Sequence, residues 1–274
     1  MSYDSYKSLN AKIFIKSNMV TEFFSFIISN PEIAIKVALK QKLSNKQKNQ
    51  ISKKIISVIE NKIGSNKNSI SIYNTEFLEG EFISHITQSL EGLENSGAFN
   101  PTFQGIIYSI IRYFKPEIII ETGVANGVSS TIILNSLLQN KRGKLYSIDL
   151  PTEFWEKSEY RQVDKVKVKK NKSVGWIVPE TLRDNWILNL GSSKEVLPEL
   201  LKKIKQVDIF FHDSEHSYEN MLFEFKTVFP QIKKKGIIIS DDINRNKAFD
   251  DFVHEHKNEI VSIKAGQFGF IFKL

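Results

Sequence analysis

The amino-acid sequence predicts an α/β protein with a doubly wound, seven-stranded sheet, and three observations lead to this prediction. From about Phe99 onward, short apolar segments alternate with segments whose apolar residues recur at helical spacing. The chain then closes with two apolar segments joined by a glycine-containing turn, which predicts an antiparallel last strand and a hairpin that supplies an antiparallel edge strand. Before Phe99 the pattern is helical only. Strands that alternate with helices form a parallel sheet covered on both faces.

Each predicted element ends at a turn former or at a change of apolar period. The helices are TFQGIIYSIIRYF at Thr102–Phe114, VSSTIILNSLLQN at Val128–Asn140, KEVLPELLKKI from Lys194, YENMLFEFKTVF at Tyr218–Phe229, and a last helix at about Lys247–His256. The strands are EIIIETG at Glu117–Gly123, KLYSIDL at Lys144–Leu150, NWILNLG at Asn185–Gly191, VDIFFHD at Val207–Asp213, GIIISDD at Gly236–Asp242, and the two halves of EIVSIKAGQFGFIFKL. Ligands of such sheets bind at the carboxyl ends of the strands, where acidic residues fall here: Glu121, Asp149, Asp213, Asp241 and Asp242.

Residues 1–98 are predicted to be a helical region, with ISKKIISVIENKI at Ile51–Ile63 as its clearest helix and GSNKNS at Gly64–Ser69 as a loop. The apolar run FFSFIISNPEIAI at Phe23–Ile35 is too short to span a bilayer, and Asn30-Pro31 interrupts it. We therefore expect a buried helix, a cytoplasmic protein and no membrane partner. The region is predicted to form a lid over the site or a contact in a homo-oligomer, ahead of a second domain at residues 99–274.

Composition limits the chemistry that the chain can perform. The 274 residues include no cysteine, so disulfides and thiolate metal sites are excluded, and any metal must be held by oxygen or imidazole. The formal net charge of +7 is compatible with an anionic partner. The densest basic run nevertheless lacks interleaved aromatic residues for base stacking, which favours a solvated loop over a partner contact: Lys165, Lys167, Lys169, Lys170 and Lys172.

The segment ETGVANGVSS joins the first predicted strand to a helix and contains Gly123 and Gly127. Glycine lets the backbone turn tightly and approach a ligand closely, and the following helix start offers free amide donors. Ala125 interrupts the dinucleotide pattern GxGxxG, so a simple tight turn is the alternative. Asp149, at the end of the second strand, is either a helix N-cap or an acceptor for the ribose hydroxyls of a bound nucleoside.

Carboxylates and one imidazole follow the fourth and fifth strands. Asp213 ends one strand, His216 lies three residues later, and Asp241-Asp242 ends the next strand. Adjacent carboxylates repel unless a cation offsets them, so three that converge form a hard-oxygen site suited to Mg²⁺, Mn²⁺ or Ca²⁺. The alternative is that Asp241 caps the next helix and Asp242 faces water.

The remaining histidines are not assigned to the site. His212 lies within the fourth strand and is expected to be packed. His254 and His256 fall in a charged helix and are expected to be exposed.

Four ordered segments, ETGVANGVSS, YSIDL, VDIFFHDSEHSYENMLFEF and GIIISDDI, resemble the class I S-adenosylmethionine-dependent methyltransferases. More narrowly, they are similar to the metal-dependent macrocin O-methyltransferase-like sugar O-methyltransferases. The resemblance covers about Phe99 to Leu274 and implies a Rossmann-like fold. It also implies S-adenosylmethionine and a divalent metal as cofactors, and a sugar or glycosylated small molecule as the acceptor.

The resemblance also implies roles for individual residues. Glu121, Gly123 and Gly127 would line the methionine end of the cofactor, with Ser129 among the cofactor-binding residues. Asp149 would hold the ribose, and Ser192 or Ser193 would lie near the adenine, although the chain departs from the common pattern at Ala125 and at Gly191-Ser192-Ser193. Asp213, Asp241 and Asp242 would bind the metal, and His216, next to Asp213, would be the general base.

Two other functions fit the same sequence. The net charge suggests a nucleic-acid methyltransferase, but the Asp-Asp pair argues against it because carboxylates repel phosphates. The wider family also suggests a cofactor-binding protein without transferase activity, or a hydroxylase-type enzyme on the same scaffold.

Overall fold

The computed structural model describes residues 45–80, 82–93, 96–97, 101–153 and 168–274. The predicted helix at Phe23–Ile35 and the lysines Lys165 and Lys167 lie outside the described residues. Lys169, Lys170 and Lys172 are exposed, as the prediction of a solvated loop requires. Within the described part, every helix is too short or too polar to cross a bilayer.

Within the described residues, four α-helices precede the first strand, and four more alternate with the strands that follow. The described helices are α1 (Asn45–Ile63), α2 (Ser71–Glu79), α3 (Phe82–Ser89), α4 (Pro101–Phe114), α5 (Val128–Asn140), α6 (Ser193–Lys203), α7 (Tyr218–Val228) and α8 (Ala248–Glu255). The described strands are β1 (Ile118–Thr122), β2 (Lys144–Asp149), β3 (Trp186–Leu190), β4 (Val207–His212), β5 (Ile232–Ser240), β6 (Ile260–Ala265) and β7 (Phe268–Lys273). Most predicted bounds lie within one or two residues of these. β5 begins four residues earlier than predicted, because the polar run Lys233–Lys235 joins its exposed start.

The seven strands form one sheet in the order β3-β2-β1-β4-β5-β7-β6, which confirms the predicted fold class. β1 to β5 pair in parallel, and β7 pairs antiparallel with both β5 and β6. The last strand is therefore antiparallel, as predicted. The hairpin lies at the edge of the sheet, also as predicted, with β6 outermost and β7 between β5 and β6.

One hydrophobic core covers each face of the sheet. The first is shared by α1 to α5 and includes Ile56, Ile106 and Phe268. The second lies under α6, α7 and α8 and includes Phe210 and Phe225. The described helices on either side of the predicted boundary at residue 98 thus pack into the same core.

The sheet register places the ends of β1, β4 and β5 side by side. Thr122 is in register with His212, and His212 with Ser240. The ladder continues one residue further, because the amide of Asp213 donates to the carbonyl of Thr122 and that of Asp241 to the carbonyl of His212, both at 2.9 Å. The polar residues that follow these strands therefore meet at one edge of the sheet.

Candidate active site

A cleft of about 640 Å³, including the part open to solvent, lies at this edge between the ends of β1, β2 and β4 and the start of α6. Four of the seven predicted cofactor-binding residues line it: Gly123, Asp149, Ser192 and Ser193. The other described lining residues are Ile148, Leu150, Gly191, Lys194, Ser214, Glu215 and Asn220. Of the predicted residues that line the cleft, Asp149 is the one that the strand-end rule itself supplied.

Both glycines of the turn after β1 are required by close backbone contacts. Gly123 has φ +84°, and a Cβ on it would overlap the carbonyl of Asp213. Gly127 has φ +99°, and a Cβ there would press on the backbone of Gly175. Only a residue without a side chain fits either position comfortably. Gly123 thus joins the cleft to the end of β4, whereas Gly127 starts α5 away from the cleft lining.

The carboxylate of Asp149 orders the glycine-containing turn. Its Oδ2 accepts hydrogen bonds from the backbone amides of Val124 at 2.8 Å and Ala125 at 2.7 Å, and its Oδ1 accepts one from Leu150 at 2.7 Å. The first two bonds tie the end of β2 to the turn that follows β1. A carboxylate offers about four acceptor positions, so three amides do not by themselves exhaust it.

Glu121 lies behind the cleft and does not line it, although it was predicted to line the cofactor. The predicted cofactor residues Gly127 and Ser129 are also absent from the described lining of the cleft. The Oε2 of Glu121 accepts from the hydroxyls of Ser130 and Ser147, both at 2.6 Å, and its buried Oε1 has no hydrogen-bond partner. Complete burial raises the pKa of Glu121 to about 7, against the opposing effect of the serine hydroxyls. Its side chain supports β2 and α5 from within.

His216 and Asp213 lie together beside the cleft, as predicted. The Nε2 of His216 is 3.9 Å from Oδ1 of Asp213, and their side chains are 5% and 19% exposed. Ser214 and Glu215, between them in the chain, line the cleft. An imidazole and a carboxylate thus lie next to the cleft.

The three predicted metal ligands are each held by a different protein group. Asp241 Oδ1 accepts from the amide of Gln267 and from the backbone of Asp242, both at 2.7 Å, and Asp242 Oδ2 lies 2.6 Å from the guanidinium of Arg245. Burial, with the charge of Asp242, raises the pKa of Asp241. Among the described residues, no three His, Asp or Glu side chains form a group that would hold a metal ion.

As these side chains stand, they do not fit the three-carboxylate metal site that the sequence predicts. The alternative is not matched either. Asp241 does not cap α8, whose N-cap is Lys247, and Asp242 is ion-paired rather than simply solvated.

The structure confirms the predicted exposure of two of the other histidines and corrects that of the third. His212 is fully buried, as expected, and His254 is exposed. His256 is not exposed as predicted: its side chain is 19% exposed, and its ring lies 4.4 Å from the rings of both Phe229 and Phe252. The charged residues around His256 in the sequence predicted exposure, but its ring packs against two phenylalanine rings.

Sequence reasoning missed two residues that hold the site together. Glu224 is fully buried beneath the cleft, and Gln267, from the turn between β6 and β7, reaches Asp241. A signal for Glu224 was present, since it falls between Met221 and Phe225 on the face of α7 that points into the core. No comparable local signal marks Gln267, which meets Asp241 only after the hairpin has folded back.

Comparisons with known proteins agree with the fold. Residues 120–243 match a family described as "Methyltransferase domain". A methyltransferase from Podospora anserina bound to S-adenosylhomocysteine is 14% identical, with a TM-score of 0.52 over 70% of this chain and 87% of that one. A methyltransferase from Geobacter sulfurreducens is also 14% identical, with a TM-score of 0.51 over 71% and 89%. No curated protein matches the chain closely enough to count as a relative.

The matched segment, residues 120–243, runs from within β1 to just beyond β5 and so covers the parallel part of the sheet. At 14% identity the two solved structures establish the fold alone.

Proposed function

We propose that the protein is an S-adenosylmethionine-dependent O-methyltransferase that methylates a hydroxyl of a sugar or glycosylated small molecule. The observation that carries this proposal is the contact at Gly123, where the cofactor cleft meets the backbone of Asp213 and so adjoins the His216–Asp213 pair. The methyltransferase match over residues 120–243 supports the reaction class. The bound S-adenosylhomocysteine of the Podospora anserina protein supports the cofactor.

The cleft offers suitable partners for each part of that cofactor. The close turn at Gly123 and the amides ordered by Asp149 would face the methionine end, and the Asp149 carboxylate would accept from ribose hydroxyls. Ser192 caps α6, with its hydroxyl accepting from the amide of Lys194 at 3.3 Å, and Ser193 lies beside it at the adenine end. A sulfonium donor carries no phosphate, so a full phosphate-binding loop is unnecessary and Ala125 is tolerated.

His216 would act as the general base. The acceptor hydroxyl transfers its proton to His216 Nε2 while its oxygen attacks the methyl carbon of the donor; the carbon–sulfur bond breaks, and its electron pair stays on sulfur. The carboxylate of Asp213, 3.9 Å away, stabilises the imidazolium that forms. The protein otherwise contributes by holding the two reactants in line.

Metal dependence belongs to this proposal as a separate part that is tested separately. Asp213, Asp241 and Asp242 would hold a divalent ion only after leaving their present partners, and the ion would then lower the pKa of the acceptor hydroxyl. Because their present partners are His216, Gln267 and Arg245, no step above depends on the ion. Calorimetric titration of the purified protein with Mg²⁺, against Asp241→Asn as control, would detect binding without any acceptor.

The sugar acceptor is supported by the resemblance of the four sequence segments to the macrocin O-methyltransferase-like group. It is tested by incubating the protein with S-adenosylmethionine and a panel of nucleotide-linked sugars and glycosides. Mass spectrometry should then show a product heavier by one CH₂ unit. If only non-sugar hydroxyls accept the methyl group, the acceptor class is wrong but the reaction is not.

A pair of histidine variants tests the mechanism. His216→Asn should lower turnover by about 10² to 10⁴-fold, the usual contribution of a general base, while S-adenosylhomocysteine binding stays close to wild type. His254→Asn is the matched control, because His254 is exposed on α8. Undiminished turnover in His216→Asn would eliminate His216 as the base.

A further inference from the structure

A buried cluster of polar side chains lies directly under the cleft, and none of the steps above uses it. Glu224, on α7, and His212, on β4, are both fully buried, and Glu224 Oε2 lies 2.7 Å from His212 Nδ1. The hydroxyl of Thr122, at the end of β1, donates to the same oxygen at 2.6 Å. One carboxylate oxygen therefore connects the ends of β1 and β4, on which the candidate site is built.

The other oxygen of Glu224 faces the cofactor cleft. Glu224 Oε1 accepts from the hydroxyl of Ser214 at 2.8 Å and from the amide of Asn220 at 3.1 Å, and both residues line the cleft. The hydroxyl of Ser193 in turn donates to the side-chain carbonyl of Asn220 at 3.3 Å. Glu224 thus fixes a wall of the cleft that includes side chains from three separate segments.

The histidine partner connects the same carboxylate to the proposed base. The ring of His212 meets the ring of His216 edge to face, with 5.2 Å between centroids, and Asp213 follows His212 directly in the chain. Because Nδ1 is bound to Glu224, the orientation of the His212 ring is set, and the face against which His216 packs is set with it. Glu224 therefore supports both the wall of the cleft that would hold the methyl donor and the histidine that would deprotonate the acceptor.

We propose that Glu224 is a positioning residue for methyl transfer, which holds the cofactor wall through Ser214 and Asn220 and the base through His212. The inference rests on the proposed function, because it assumes that this cleft takes the methyl donor. Stability alone does not explain the arrangement. Replacement of a buried carboxylate and its partners by well-packed apolar residues is often neutral or stabilising, so folding alone does not require such a cluster at this place.

The test is Glu224→Gln, which keeps the shape of the side chain but removes the charge and one acceptor. We expect the dissociation constant for S-adenosylhomocysteine, measured by calorimetry, to rise about tenfold, as loss of a buried charge-assisted hydrogen bond predicts. The imidazole NMR signals of His216 should also shift. Glu60→Gln is the matched control: Glu60 is a glutamate only 2% exposed that contacts α2 rather than the cleft, so this variant should lose stability but bind S-adenosylhomocysteine normally.

The outcomes separate this inference from the proposed function. If the wild-type protein does not bind S-adenosylhomocysteine, the proposed function fails. If the wild type binds it and Glu224→Gln binds equally well with unchanged His216 signals, Glu224 is merely structural. Should Glu224→Gln not fold, Thr122→Val removes one donor to Glu224 from a buried position outside the described cleft lining, and unaltered binding in that variant would also overturn the inference.

Discussion

Glu224 and His212 are in contact with no exposed surface, 2.7 Å between Oε2 and Nδ1, beneath the edge where three strands end. Burial alone would push the pKa of Glu224 upward. The charge and hydrogen bond of His212, with the hydroxyl donors around the carboxylate, outweigh burial and lower this pKa to about 2. The carboxylate of Glu224 is therefore ionised at any pH well above 2.

This contact predicts a specific loss of stability in acid. A carboxyl whose pKa falls on folding from 4.5 to about 2 contributes stability that is complete above about pH 4.5 and is lost as pH falls toward 2. The contribution is on the order of 3 kcal/mol. Urea unfolding between pH 2.5 and 6 should therefore show a steeper decline for wild type than for Glu224→Gln. Parallel curves for the two proteins would contradict the assignment.

Glu121 predicts a change of opposite sign. Because burial raises its pKa to about 7 in the folded state, the folded protein holds this proton up to a higher pH than the unfolded chain does. The free energy of unfolding should then fall by about 3 kcal/mol from this group as pH rises from 4.5 through 7. Glu121→Gln should lack that decline and gain relative stability at pH 8.5. Equal changes in the free energy of unfolding of wild type and variant between pH 4.5 and 8.5 would contradict this prediction.

The two glycine environments predict unequal effects of one methyl group. Gly123→Ala must move the backbone of Asp213 as well as strain a positive φ, and should cost about 3 kcal/mol and weaken S-adenosylhomocysteine binding. Gly64→Ala has a similar φ of +67° but no heavy atom within 4 Å of the added carbon, so only strain of about 1 kcal/mol is expected. Chemical unfolding of both variants measures the difference. Equal losses would mean that the contact between Gly123 and Asp213 contributes nothing.

The start of α2 predicts a stability effect far from the cleft. Ile70 cannot cap this helix, and Glu60 from α1 does so instead, with its Oε1 accepting from the amide of Ile70 at 2.7 Å and its Oε2 from that of Asn68 at 3.0 Å. Glu60→Gln places an NH₂ group against one of these donors and should cost about 1 to 3 kcal/mol. Thermal unfolding measures this loss. Glu199→Gln, on an exposed part of α6, should be nearly neutral.

The fold could be predicted because its signals are local. Apolar runs, glycines and the change from period 2 to helical period placed every strand of the sheet, and strand ends located Asp149 and Asp213 at or beside one edge. The insertion of β7 between β5 and β6 was not predicted, because it depends on which edge of the hairpin pairs with β5. A single sequence carries no local record of that choice.

The partners of the site residues could not be predicted, for a related reason. The sequence places Asp241 beside Asp242 but does not show that Gln267 approaches one and Arg245 the other. It places Asp149 at a strand end but does not show that the turn amides reach its carboxylate first. Such contacts depend on distances of a few tenths of an ångström between segments that are remote in the chain, and residue patterns do not encode them.

The core that the first five described helices share has a consequence for the design of fragments and chimeras of this protein. Arg112 on α4 binds Glu76 on α2 at 3.0 Å, and the isoleucines of α4 face those of α1. A fragment that started at residue 99 would expose the apolar face of α4 and should precipitate when expressed alone. Chimeras in which the N-terminal region is replaced would have to keep α1 and α2, or bring an equally apolar cover of their own.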